Sequence, residues 1–227
     1  MAVSARTNTR STQTREALLA AACEVFGRDG FHAASTRAIA AAAGVNQALI
    51  AYHFGGKEGL YLAVFENITQ TMNEHIGPVH TRIKGEIDSL DGSTAEGRRA
   101  CLAFIDQLLG GAIAMFSQPA ALNWTRMVMR EQQDPSDAFD IFYGGIYREM
   151  LASFTQLMAR LTGQPAGAEG TRIQALNVMG QLMMFMVGRA TAMRHLGWAE
   201  VGPQELSAVR REIRAALYQR FDEEVPE

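Results

Sequence analysis

Ser35-Thr36-Arg37-Ala38-Ile39-Ala40-Ala41-Ala42-Ala43-Gly44-Val45-Asn46-Gln47-Ala48-Leu49-Ile50-Ala51-Tyr52-His53-Phe54 reads as two short helices joined by a turn. Ser35 is a good N-cap for a helix over Thr36–Ala43, because its hydroxyl can accept a bond from an unpaired first-turn amide. Gly44-Val45 turns the chain, and Asn46 caps a second helix, Gln47–Phe54. Upstream, Leu18, Ala22, Val25 and Phe26 recur at helical spacing and define a supporting helix over Thr12–Arg28. Asp29-Gly30 ends it, since glycine takes the left-handed conformation that follows many helices. Downstream, Gly55-Gly56 breaks the chain before a fourth helix at Lys57–His75.

Three helices in this arrangement make a helix-turn-helix. Ile39, Ala43, Val45, Ile50 and Phe54 can lock the pair against Leu18, Ala22, Phe26 and Phe31, and the alanines of 40–43 allow a close approach. The first residues of 47–53 are then free to enter a major groove. Gln47 can pair bidentately with adenine, and Ala48 or Leu49 can touch a thymine methyl. Thr36 opens a helix, where amides and a hydroxyl suit a phosphate. An alanine-rich helical hairpin without any DNA role has the same pattern, so packing logic alone leaves both readings open.

Beyond the head, apolar periodicity predicts helices at about 79–89, 94–116, 119–133, 136–162, 169–196 and 203–222. Gly77-Pro78, Asp91-Gly92-Ser93, Pro119, Asp134-Pro135, 163–170 and 197–203 separate them. The expected fold is all-α, a three-helix head followed by a larger helical body. Its divisions are a disordered arm at 1–11, the head at 12–56, a connecting helix at 57–76, and a ligand-binding and dimerisation domain at 77–227.

Charge follows the same division. The chain of 227 residues has a net charge of -3, but residues 1–57 hold six Lys/Arg against three acids, a head of +3 on a remainder of -6. A basic head can sit on phosphates while an acidic body stays off them. The N-terminus lacks an apolar signal region, and Cys23 and Cys101 are far apart, which predicts a reduced, cytoplasmic protein. Cys101–Phe116 and Val178–Val187 are apolar but interrupted by Asp106-Gln107 and by Gln181, short of the roughly 20 residues a membrane span needs. No membrane partner is expected.

Enzyme signatures are missing. The five histidines are scattered without metal-ligand spacing, and there is no Gly-x-Ser-x-Gly elbow, phosphate loop or dinucleotide fingerprint. No catalytic, metal or cofactor site is expected. The body does gather Met115, Phe116, Trp124, Met127, Phe139, Phe142, Tyr143 and Tyr147 beside Arg130, either plain core or the lining of a ligand pocket. Leu176, Met179, Gly180, Met183 and Val187, with Val209, Ile213 and Leu217, form stripes suited to an intersubunit four-helix bundle, an internal core being the rival.

Several of these motifs agree with one family. Phe31-His32-Ala33-Ala34-Ser35-Thr36-Arg37-Ala38-Ile39-Ala40, Ala43-Gly44-Val45-Asn46, Tyr52-His53-Phe54 and Lys57-Glu58-Gly59-Leu60 resemble, in order and spacing, the N-terminal domain of the TetR family over about Thr12–Leu62. The resemblance implies a ligand-responsive homodimer that represses from a palindromic double-stranded operator and is released by a small-molecule effector. It carries the family's DNA contacts to Thr36, Arg37, Gln47, Ala48, Tyr52, His53 and Lys57. Three positions depart from the pattern: Ala51 replaces a tyrosine, Leu49 a frequent threonine, and Gly55-Gly56 a pair that usually includes lysine. Trp124, Arg130-Glu131-Gln132, Asp134-Pro135 and Ala138-Phe139 further resemble the CerR/CecR-type group of that family, which implies repression of nearby transport or stress-tolerance genes. The alternative is a small-molecule-binding helical protein or enzyme with a non-functional DNA-binding head.

Overall fold

In the computed structural model, which describes residues 2–225 and the side chains of 11–225, the chain is a succession of helices with no strand among the described residues. In order they are α1 (Ala2–Ala33), α2 (Thr36–Ala42), α3 (Ala48–Phe54), α4 (Lys57–Glu86), α5 (Ala95–Phe116), α6 (Ala121–Gln133), α7 (Asp137–Phe142), α8 (Arg148–Thr162), α9 (Glu169–Val187), α10 (Arg189–Leu196) and α11 (Pro203–Arg220). The fold class is therefore the one expected, a helix-turn-helix head and a larger helical part.

The domain division differs. One compact unit comprises the chain up to Gln70 together with Pro119–Tyr143; the other comprises Thr71–Gln118 together with the chain from Gly144 onward. The segment 119–143, read from sequence as part of the body, packs with the head instead. Its apolar stripe of Trp124, Met127 and Val128 is buried on the side of α6 that meets α1.

Three further differences have local causes. Residues 2–11, read as a disordered arm, have helical backbone continuous with α1, because no Pro or Gly precedes Gly27 to interrupt the hydrogen-bond ladder; Met1 lies outside the described residues. Gly77-Pro78, read as a helix end, lies inside α4. An interior proline costs about 3 kcal/mol, and here burial of Ile76, His80 and Ile83 on one face offsets it. The single helices expected at 136–162 and 169–196 are each interrupted. A π turn at Tyr143–Tyr147 carries a non-helical Gly145, and α9 gives way to α10 at Gly188.

In the first unit, Leu18, Ala22, Val25 and Phe26 of α1 meet Ile39 and Ala40 of α2, Ile50 of α3 and Leu60, Val64 and Phe65 of α4 in one core. In the second, α5 is the central helix. By length and composition it is apolar enough to cross a membrane, yet Cys101, Leu102, Ile105, Leu108 and Leu109 are buried. It packs with α8, α9 and α11. Arg210 of α11 forks onto the Asp106 carboxylate of α5 with two bonds of 2.8 Å. His80 of α4 is buried between two α8 side chains, with Nε2 2.8 Å from the Glu149 carboxylate and Nδ1 2.8 Å from the Ser153 hydroxyl. The carboxylate only accepts, so Nε2 carries a proton. His80 is a satisfied core histidine.

Candidate nucleic-acid interface

The turn between α2 and α3 is built by local bonds. Ser35 has extended backbone, and its Oγ accepts from the Ala38 amide at 3.1 Å. Gly44, at φ +66°, lets the chain reverse so that Val45 N–H reaches the Ala40 carbonyl at 3.0 Å. Asn46 Oδ1 then accepts from the Ala48 amide at 2.8 Å and closes the first turn of α3. Behind the pair, Ile39 and Ile50 are almost completely buried. At its far end α3 stops at Gly55 and Gly56, both at positive φ.

This frame leaves an outer surface. Gln47, Ala48 and Ala51 are exposed, and Tyr52 is 79% exposed, an unusual position for an aromatic ring, with an edge contact to His53. Arg37 is exposed on α2, and Thr36 is half-buried beside it. Thr36 and Gln47 touch directly, Gln47 Nε2 donating to Thr36 Oγ1 at 2.8 Å. Lys57 is also tied into the head. Its Nζ donates to the His32 carbonyl at 3.2 Å and sits 4.7 Å above the Phe31 ring, bracing the end of α1.

A second cluster lies where α6 meets α1 and the start of α4. Gly27 is the point of closest approach: a Cβ there would lie 2.6 Å from Asn123 Cβ and 2.9 Å from its Cα. Arg130 donates from Nη1 to the Phe26 carbonyl at 2.7 Å and from Nη2 to the Arg28 carbonyl at 3.4 Å, satisfying carbonyls next to the Gly30 kink of α1. The neighbouring Glu131 is buried and accepts three bonds. Tyr61 Oη donates to one oxygen at 2.8 Å; the Ser136 amide and hydroxyl donate to the other at 2.9 and 2.8 Å. Burial, then the bond to Glu131, hold the Tyr61 hydroxyl well above its usual range, so it remains a donor. Tyr61, Ser136 and Gly27 were not anticipated. Gly27 inside a helix and the N-cap pattern Ser136-Asp137-Ala138 were the available signals.

The structure redistributes the other expected residues. Arg130, grouped with the pocket, is committed to the carbonyls of α1. Met115, Phe116 and Tyr147 belong to the second unit, while Trp124, Met127, Phe139, Phe142 and Tyr143 belong to the first. Of the nine, a surface groove of about 620 Å³ between α1 and α6 takes only Trp124, beside Cys23. Burial raises the Cys23 thiol to about 11 and the Cys101 thiol to about 11, which makes both poor nucleophiles. Among the dimer residues, Val209, Ile213 and Leu217 are buried within the single chain against α5 and α9, so that stripe is internal core. Met179 is buried and Met183 half-buried, whereas Leu176, Gly180 and Val187 are exposed.

Such a head, with its second helix presented outward, defines the helix-turn-helix transcription regulators. Comparison with known proteins agrees. A profile described as bacterial regulatory proteins of the TetR family matches residues 18–64, and one described as the C-terminal domain of the HTH-type transcriptional dual regulator CecR matches residues 98–218. The chain belongs to the TetR family of DNA-binding transcription regulators, and within it to the CecR type. CecR of Shigella flexneri is 28% identical over 204 residues, covering 90% of this chain and 89% of that protein. The regulatory protein RaaS of Mycobacterium tuberculosis is 62% identical over 40 residues, 18% of each chain. Among solved structures, FadR of Bacillus subtilis in complex with stearoyl-CoA superposes with a TM-score of 0.56 at 17% identity, covering 89% of this chain and 96% of that one. HlyIIR, a hemolysin II transcriptional regulator, gives 0.57 at 16%, covering 91% and 97%. These relatives are transcription regulators rather than enzymes.

Proposed function

We propose that the protein is a homodimeric repressor that reads a palindromic operator through α3 and releases it on binding a small, largely apolar effector. The observation that carries this reading is the outward face of α3. Gln47, Ala48 and Tyr52 are exposed while Ile50 behind them is buried, so the helix is rigid where it is free. Thr36, Arg37 and His53 extend the same neighbourhood, and Lys57 supports it from the end of α1. Dimerisation supplies the spacing of roughly 34–36 Å between recognition helices that successive major grooves require. The exposed apolar residues of α9 suit that role. A largely apolar effector is in keeping with the complex of FadR, a protein of similar fold, with stearoyl-CoA. For an effector to release DNA it must bind two conformers unequally.

The test is a binding-site selection from random duplexes with the full-length protein, followed by a salt series on the enriched site. The expected result is an inverted-repeat sequence whose affinity falls steeply with salt, and a loss of base preference in Gln47→Ala. Failure to enrich any sequence would refute the DNA reading.

A further inference from the structure

Thr36 and Gln47 are eleven residues apart on different elements of the head, and they form a side-chain hydrogen bond of 2.8 Å. Thr36 is the first residue of α2, and Gln47 immediately precedes α3. The two ends of this bond differ in freedom. A glutamine side chain on an exposed position samples many rotamers, whereas threonine is β-branched and stiff at χ1. The backbone beneath Thr36 is also fixed, by the Ser35 cap on one side and the buried Ile39 on the other. The bond therefore anchors the mobile partner to the rigid one.

The chemistry of the amide gives this anchor a consequence. Gln47 has one carbonyl acceptor and two N–H donors. Thr36 Oγ1 takes a single N–H, leaving the carbonyl and the other N–H as an adjacent acceptor and donor. That is the pair the N6 and N7 edge of adenine demands. Thr36 accepts from the amide with a lone pair and keeps its own O–H as a donor, so holding Gln47 and touching a phosphate are compatible.

We propose that Thr36 is a positioning residue for base reading by Gln47, setting specificity at one base pair of each operator half-site through the orientation of the amide. The proposal rests on the reading above that Gln47 faces base edges. Two contributions separate it from a phosphate contact at the same residue. Losing a positioning role changes preference at one base pair, whereas losing a phosphate contact weakens all sequences alike.

The experiment uses the full-length protein and the duplex enriched by the wild type, with the base pair that loses preference in Gln47→Ala substituted in a second duplex. Thr36→Val keeps the shape and removes the hydroxyl, donor and acceptor together; Thr36→Ser keeps both. Thr36→Val is expected to lose discrimination between the two duplexes by about tenfold, part of what a good bidentate pair supplies. Its affinity should fall further on the enriched duplex than on the substituted one. Thr36→Ser should retain most of the discrimination, and Thr36→Val should add nothing in a Gln47→Ala background. If Thr36→Val fails to fold, Thr36→Ala is judged by the same criteria. Equal weakening on both duplexes, or wild-type discrimination without the acceptor, overturns the proposal and leaves the DNA reading standing. A wild type that enriches no sequence overturns both.

Discussion

Leu206, Val209, Ile213 and Leu217 repeat along α11 at nearly the spacing of Ile173, Leu176, Gly180, Met183 and Val187 along α9. The first set is buried within one chain, while Ile173, Leu176, Met184 and Val187 are each about half exposed. Both helices show the period that marks an apolar face, and the period says only that a face is to be covered. What covers it depends on neighbours. α11 lies against α5 and α9, where Arg210 and Asp106 hold it. The outer face of α9 has open space at Gly180 and solvent around Leu176 and Val187. The association proposed for α9 would cover this row.

The largest effect should come from breaking the internal face. Leu217→Ala is expected to cost about 2–5 kcal/mol of fold stability, measured as a lowered denaturant midpoint; an unchanged midpoint would place α11 on the surface. The external face should respond in the opposite way. Leu176→Glu combined with Met184→Glu should leave the helical circular dichroism intact while raising the dimer dissociation constant about 100-fold, close to 2.7 kcal/mol. Sedimentation at graded concentrations would show it, and a stable dimer in that variant would take α9 out of the interface.

The same contrast between inward and outward roles sharpens at the charged residues. Glu131→Gln should cost roughly 1–3 kcal/mol in thermal unfolding, because an amide cannot accept all three bonds from Tyr61 and Ser136. On the operator, Arg37→Ala should lower the salt slope by about one, and Lys57→Ala by less, since the His32 carbonyl and the Phe31 ring hold Lys57 at the end of α1. A drop of a full unit in Lys57→Ala would make that lysine a direct phosphate contact. The smallest response belongs to the thiols. With both pushed to about 11 by burial, Cys23 and Cys101 should resist a thiol reagent at pH 8 in the native protein and react only on unfolding.

The head was legible from sequence because its determinants are local. Ser35, Gly44 and Asn46 each act within a few residues, and the structure uses each as the sequence suggests. The rest depended on partners distant in the chain. Gly77-Pro78 carries the usual signal of a helix end, yet the face of Ile76, His80 and Ile83 is buried and α4 continues. Arg130 has the composition of a pocket residue, and only the close packing at Gly27 and Asn123 brings the carbonyls of α1 within its reach. Val209, Ile213 and Leu217 were placed on the correct kind of face and given the wrong neighbour. Lys57 lies in the right motif, and its contact with the His32 carbonyl, 25 positions upstream, was not visible in the sequence.

The joining of α6 to the head also bears on how such regulators can be recombined. A chimaera made by exchanging only the first 70 residues would separate Arg130 from the Phe26 carbonyl, Glu131 from Tyr61, and Asn123 from the glycine it presses against. A graft that keeps the specificity of one regulator and the effector response of another must therefore carry two pieces, the N-terminal segment and residues 119–143, as a single transplant.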